Sequence, residues 1–411
     1  MGFDPPHVAE LSPPQRVLMG PGPTSLPPAV LQALIAPITG HKDPFFLHVM
    51  DETAELLRYL FQTSNEASLS LPGTGGAGME AAIANLIQPG DTAVVCVNGL
   101  FGARMAEIAR RHGADVVQVT APWGKPIDPD DLRKALAGRK ARVVTTVHGE
   151  TSTGVTQPME ELGQIAGDQG AFLVVDVVAT IGGMPVIPHA WNSAICYGAS
   201  QKCISAPPGV SPITVNLETM DYIRNRATPV PCWYLDLGEH RNYWFAKERI
   251  YHHTAPVPLI YALHEALRLI AEEGIEARWA RHALHNRAFV AGLEAMDLEL
   301  FADPNYRMTT LVSINVPNGV DEARVRGELL REYGIEISGG LGPYAGRMWR
   351  VGIMGHSASH NNVVLLLSAL ERLLARQGYG SPTGAGVAAA DAEYSAAAAE
   401  YSAAAAQAAV A

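Results

Sequence analysis

Between residues 68 and 216 the chain alternates short runs of β-branched and apolar residues with segments of helical period, and this pattern limits its fold most. The runs fall at 92–97, 114–120, 141–148, 171–180, 193–199 and 211–216, with helical patterns such as 130–137 and 159–169 between them. Strands apolar on both faces and separated by helices must lie in a mostly parallel sheet covered on both sides. Downstream, 256–296 reads as helical. Strands at 309–316, 335–339 and 348–353 then mix with helices at 322–333 and 359–375. The expectation is an α/β fold: a large domain over residues 26–280, then a smaller α+β domain over 281–376. A proline-rich arm, residues 1–25, precedes them, and a helix is expected from about 51 to 61.

A chain of 411 residues suits two or three domains of roughly 150 residues each. Its 48% hydrophobic and 17% charged content supports a large core and excludes wholesale disorder. With 30 Lys and Arg against 41 Asp and Glu, the net charge of −11 argues against nucleic acid as a partner. Cys96, Cys196, Cys203 and Cys232 show no C-x-x-C spacing, so reduced thiols, no metal site and a cytoplasmic location are expected. No signal-peptide pattern opens the chain, and no apolar run approaches the ~18 residues of a membrane span. From Gln377 onward there is no Lys or Arg, and EYSAAAA occurs twice in tandem. This alanine-rich tail, 377–411, lacks a stripe of large apolar residues and reads as a frayed helical or disordered appendage.

Residues 73–78 read GTGGAG and open a helical stretch. A dinucleotide site would need an acidic residue after the next strand, but that strand ends Val97-Asn98-Gly99. Two readings stand: a tight turn that needs glycine, and a phosphate cradle of free amides at a helix N-terminus. Asp176 falls within the apolar run 171–180, where a buried carboxylate requires a cation or a strong donor. Lys202 follows the next run, and side chains at the carboxyl ends of neighbouring strands converge. A structural ion pair would account for these two alone. A phosphate cradle, a buried aspartate and a lysine together describe pyridoxal phosphate more economically.

The stretches MGPGPTSLPP (19–28), GHKDP (40–44), HGETSTGV (148–155), SQKCISAPPG (200–209), YHHTAPV (251–257) and GGLGP (339–343) resemble the class V, fold-type I aminotransferases. The look is nearest the alanine–glyoxylate and serine–glyoxylate branch, from about residue 20 to 374. The resemblance implies the pyridoxal-phosphate transferase fold with a seven-stranded sheet. It implies that Lys202 is the Schiff-base lysine and Asp176 the partner of the pyridinium nitrogen. Thr74, Gly75, Gly76 and Gln201 match phosphate ligands, Phe101 the aromatic that stacks on the ring, and Thr151 a hydroxyl near cofactor and substrate. Tyr251 and Thr254 match residues that reach the phosphate of the other subunit, so a homodimer is implied. Arg350 matches the arginine that binds the substrate carboxylate. An arginine fork suits that task, although pairing with an internal acid is the alternative. His252 and His253 read as packing residues.

The implied reaction is ping-pong transamination from a small donor, alanine or serine, to a 2-oxo acid such as glyoxylate. Gly76, Phe101 and Val177 depart from common residues of the family and leave room for a larger or specialised amine donor, with pyruvate or glyoxylate as acceptor. A cysteine desulfurase would need a nucleophile late in the chain, and no cysteine follows Cys232. A non-catalytic binding module would leave Lys202 and Asp176 inert.

Overall fold

The computed structural model describes residue 3 and residues 5–408, with side chains as far as residue 400. Seven strands form the central sheet: β1 (Ala67–Pro72), β2 (Thr92–Val97), β3 (Asp115–Thr120), β4 (Ala141–Val147), β5 (Phe172–Asp176), β6 (Ser193–Tyr197) and β7 (Val210–Val215). Their order is β1-β7-β6-β5-β4-β2-β3. β7 runs antiparallel to both neighbours, and every other pair is parallel. The chain steps outward from β2 to β3, re-enters at β4 on the other side of β2, and walks back towards β1. That reversal opens a crevice at the carboxyl ends of the strands.

The periodicity does not disclose β1. Its sequence, ASLSLP, carries serines that are nonetheless buried, and Ser68 Oγ hydrogen-bonds Thr214 Oγ1 on β7 at 2.8 Å. The apolar run 171–180 is also not one strand. It leaves the sheet at Asp176, and residues 177–181 turn back through Thr180 N and Ile181 N to Val177 O. Asp176 therefore ends a strand instead of lying inside one.

Helices α1 (Pro44–Phe61), α2 (Gly75–Leu86), α3 (Leu100–Arg111), α4 (Leu237–Phe245) and α5 (Val257–Glu273) pack on this sheet, and α6 (Ile275–Ala295), α7 (His360–Ala375) and α8 (Ala385–Ala408) surround a second core. α1 starts earlier than the expected 51 because Asp43 caps it, its carboxylate accepting from Phe45 N at 2.8 Å. The helical stretch 256–296 is broken at Gly274, whose φ of 85° suits glycine.

The second core lies between α6, α7 and a three-stranded antiparallel sheet, β8 (Leu311–Asn315), β9 (Ser338–Gly339) and β10 (Met348–Gly352), in the order β8-β10-β9. The N-terminal arm joins this core. Val17–Leu18 pairs in parallel with Ile335–Glu336, and Met19 is fully buried there. From that anchor the arm crosses to the large sheet, where Thr24 N donates to Gln201 O and Thr24 Oγ1 to Lys202 O.

The first part of the alanine-rich tail, as far as Tyr394, is docked and not an appendage. α8 lies along α6, where small residues allow close approach: a Cβ on Gly292 would stand 2.8 Å from Gly386 O and 2.5 Å from Leu367 Cδ1. Ala390 is fully buried, and the Tyr394 hydroxyl meets His285 Nδ1 at 2.9 Å. Small residues replace the large apolar stripe as the source of contact. The end of the tail, 409–411, lies outside the described residues. Among the described residues, no helix is long and apolar enough to cross a membrane.

The α6–α8 crossing yields a test. Gly292→Val forces methyl groups onto Gly386 O and Leu367, and overpacking of this kind costs about 1–3 kcal/mol. A lowered urea midpoint is expected. A midpoint equal to that of the parent would show that the tail does not press on α6.

Candidate active site

The segments that leave β1, β2, β4, β5 and β6 at their carboxyl ends line one cleft. Thr74, Gly75, Gly76, Phe101, Thr151, Asp176, Gln201 and Lys202 all line it, so the structure brings eight of the sequence-derived candidates together.

After β1 the chain enters α2 through Thr74, whose side chain makes no capping bond. The first amides of α2 therefore point into the cleft without a side-chain acceptor, carrying the positive end of the helix dipole. A Cβ on Gly75 would meet Val178 Cγ2 at 2.9 Å, so backbone packing requires that glycine. Gly76 is different: its nearest neighbour would be Thr74 Oγ1 at 3.9 Å, leaving open space. Beside this turn, Gln201 Oε1 is buried without a hydrogen-bond partner.

Asp176 is buried at the end of β5. One carboxylate oxygen accepts from Val178 N and the other from the Tyr197 hydroxyl, both at 2.8 Å. Burial outweighs these donors and pushes its pKa from the ordinary 3.8 up to about 6. Lys202 follows β6, and burial lowers its ammonium from 10.5 to about 8. Its Nζ donates to Pro21 O of the arm. A Cβ on Gly22 would lie 2.5 Å from Lys202 Cδ, and Gly22 has a φ of 106°, so the arm can cover the lysine only with glycine there. Lys202 and Asp176 do not form an ion pair with each other; each is held by other groups. The reading of a simple structural pair fails on that point.

Arg350, on β10, does not line the cleft. It stands behind Thr151, donating from Nη1 to Thr151 O at 3.0 Å and from Nε to Gly339 O at 2.8 Å. Burial lowers its pKa to about 10, and it pairs with no acid among the described residues. Tyr251 and Thr254 stand outside the cleft of their own chain. Tyr251 is 49% exposed, its hydroxyl 3.2 Å from Thr254 Oγ1.

Two residues escaped the sequence reading. Glu150, fully buried, accepts from the amides of Phe101 and Gly102 at 3.0 and 3.3 Å and from Ser152 Oγ at 2.6 Å. It thereby caps α3 from a distant two-stranded hairpin and fixes the turn that carries Phe101. Burial raises its pKa against those donors. Gly99 makes room for it, since a Cβ there would lie 2.4 Å from Glu150 Cγ. Arg104, one turn beyond Phe101 on α3, lines the mouth of the cleft. Its guanidinium lies 5.0 Å from the centroid of the Phe101 ring, and no acid pairs with it among the described residues. The i, i+3 spacing of Phe101 and Arg104 was the one signal available for it.

Free amides at a helix N-terminus, a lysine and a buried aspartate thus meet at the switch point of an α/β sheet, the arrangement of an enzyme cleft. Residues 17–344 match the Aminotransferase class-V family. The chain is 39% identical over 399 residues to the (S)-ureidoglycine–glyoxylate transaminase of Bacillus subtilis (strain 168), covering 93% of this chain and 96% of the relative. Its fold superposes on the crystal structure of ureidoglycine–glyoxylate aminotransferase from Bacillus subtilis with a TM-score of 0.92 at 40% identity, covering 94% and 100% of the two chains. The alanine–glyoxylate aminotransferase of Nostoc sp. gives 0.88 at 43%, covering 90% and 97%. The chain belongs to the class V aminotransferases, a pyridoxal-phosphate-dependent family, and is an aminotransferase.

Because Asp176 has a folded pKa above its ordinary value, the cofactor-free fold binds this proton more tightly than the unfolded chain does. Its contribution therefore falls as pH rises from about 4 to about 6. Above that range it is a constant cost on the order of 3 kcal/mol. Asp176→Asn is expected to raise the urea midpoint of the cofactor-free protein at pH 8, with the gain shrinking towards pH 4, and to abolish most transamination. A lower midpoint at pH 8 would show that burial of the charge is not what shifts Asp176.

Proposed function

We propose that the cleft holds pyridoxal phosphate and that this aminotransferase passes the amino group of a small 2-amino acid to glyoxylate by a ping-pong route. The observation that carries the reading is that a half-buried Lys202 and a buried Asp176 line one cleft without pairing. Two such groups are costly unless a ligand answers both. The residues present fit the cofactor. Amides of Gly75 and Gly76 with Thr74 suit its phosphate, and the free end of the Gln201 side chain, turned to present its NH₂, adds a donor. Phe101 offers a ring face at the cleft wall, and Asp176 suits the protonated ring nitrogen.

Bound there, pyridoxal phosphate supplies an electron sink for the pair left on the donor's α-carbon. Lys202 would hold the cofactor, and its Nζ, once free, would take the donor's α-proton. A pKa near 8 suits that work, because much of the amine is neutral at mildly alkaline pH. Asp176 would hold the proton on the ring nitrogen. Thr151 lies where it can orient the substrate, and Arg350, held by two carbonyls behind it, has further N–H groups for the carboxylate. Tyr251 and Thr254 would complete the phosphate site of a second subunit. The exposed Ile35, Ile38, Phe45, Trp233 and Ile250 supply apolar surface for such a homodimer. The glyoxylate acceptor rests on the names of the relatives, which share it.

Those names divide on the donor. The open space at Gly76 and the unpaired Arg104 at the mouth favour a second reading, a donor with a ureido group that a guanidinium can meet through its carbonyl oxygen.

Lys202→Ala is expected to fold, to lose the cofactor's borohydride-fixable absorbance, and to lower kcat by about 10²–10⁴-fold or more. Wild-type turnover in that variant would overturn the assignment. Half-reactions with alanine, serine and ureidoglycine then separate the donors. If the ureido reading holds, Arg104→Ala raises KM for ureidoglycine by about tenfold, the weight of one charge-assisted hydrogen bond, and leaves alanine unchanged. An equal effect on both donors would remove that reading.

A further inference from the structure

Away from the cleft, α4 and the turn at residues 251–254 bring three imidazoles together. A ring nitrogen from each of His240, His252 and His253 lies within 4.8 Å of those of the other two. The ring centroids are 4.7, 4.9 and 5.1 Å apart, and all three residues are buried.

Two backbone carbonyls settle where the protons sit. His240 Nε2 lies 2.9 Å from Tyr234 O, and His252 Nε2 lies 3.1 Å from Trp233 O. A carbonyl only accepts, so both Nε2 atoms carry hydrogen and each Nδ1 is a bare lone pair. His252 Nδ1 faces His253 Nδ1 at 2.9 Å and so receives the proton of that ring. His240 Nδ1 is buried and has no hydrogen-bond partner. His240 is itself fully buried, a setting in which folded proteins rarely leave a polar atom unanswered.

We propose that His240, His252 and His253 form a site for one divalent ion of the zinc class, bound by three neutral imidazoles with water in the fourth position. In metal sites a ligating histidine gives its outer N–H to a carbonyl, and His240 and His252 already do so. Ligand nitrogens around a tetrahedral ion with bonds of about 2.0–2.1 Å stand roughly 3.3 Å apart, which small ring rotations would reach here. His253 would move its proton from Nδ1 to Nε2 as the ion takes the Nδ1 lone pair, so the ring stays neutral. No carboxylate joins the cluster, so calcium and magnesium, which take oxygen ligands, do not suit it. The ion would tie α4 to the turn that carries Tyr251 and Thr254. It is a positioning element, with no part in proton transfer, and does not depend on the donor.

The test uses tag-free holoenzyme, treated with a chelator, dialysed and titrated with Co²⁺ and with Zn²⁺. One equivalent of Co²⁺ per chain is expected to survive gel filtration, to show a ligand-field band in the visible, and to be displaced by Zn²⁺. His240→Gln should lower retention at least tenfold. An exposed alternative exists, because Glu52 contacts both His48 and His264; His48→Ala should keep the equivalent. Should His240→Gln not fold, His252→Gln serves in its place, and the wild-type stoichiometry decides independently. Failure of the wild type to retain the ion, retention by a folded His240→Gln, or loss in His48→Ala would each overturn the site. None of these outcomes bears on the transamination assignment.

Discussion

The structure turns on two opposite charges, one buried and one half-buried, held in one cleft and kept apart. Asp176 spends its oxygens on Val178 N and Tyr197, while Lys202 is drawn to the carbonyl of Pro21. Direct pairing would have relieved both groups and left nothing to bind. The fold prevents it through strand ends: Asp176 terminates β5 where the chain turns, and Lys202 lies beyond the end of the adjacent β6. Each charge is stabilised just enough to persist in the folded chain, and the remaining cost is available to a ligand that meets both.

The separation needs support from outside the large sheet. The arm is pinned to the second core at Val17–Leu18, so Pro21 and Gly22 reach Lys202 from a fixed point. β10 belongs to the same core and sends Arg350 to the carbonyl of Thr151. Two strands of the second core's surroundings thus touch the two sides of the cleft. Movement of that core relative to the large sheet would shift lysine cover and arginine together. Glu150 contributes from within, since its contacts to the start of α3 set the position of Phe101 without contact with substrate.

Much of this was legible in the chain, and the limits have physical causes. Strands β2 and β4 to β7 showed as apolar runs because both faces are covered, and the edge strand β3 showed through its valines, whereas β1 was hidden by Ser68 and Ser70, the first of which meets Thr214 across the sheet. Asp176, Lys202 and the glycine turn were readable because each is an unusual residue for its place. Glu150 was not, since a carboxylate in a short hairpin is ordinary until the amides it accepts from are known. The strand end at Asp176 could not be read from 171–180, because Val177 and Val178 continue the apolar run after the chain has left the sheet. The tail misled for a related reason. Periodicity counts large side chains, but α8 docks through Gly386, Ala390 and Tyr394, where closeness of backbones replaces bulk.

The charge balance closes the account of the cleft. A chain with net charge −11 repels anions at long range, and yet the proposed cofactor, donor and acceptor all carry phosphate or carboxylate. Inside the cleft and at its edge the balance reverses. Lys202, Arg104, Arg350 and the start of α2 stand against Asp176 and Glu150. Burial raises both of these carboxyl groups, and four protein donors surround Glu150. The cations keep donors free, because the partners of Lys202 and Arg350 are neutral carbonyls and Arg104 meets only a ring face. Carbonyl partners orient a cation without neutralising it, so the positive potential is left for the ligand. That distinction between neutral and ionic partners is what lets an acidic protein keep an anion site.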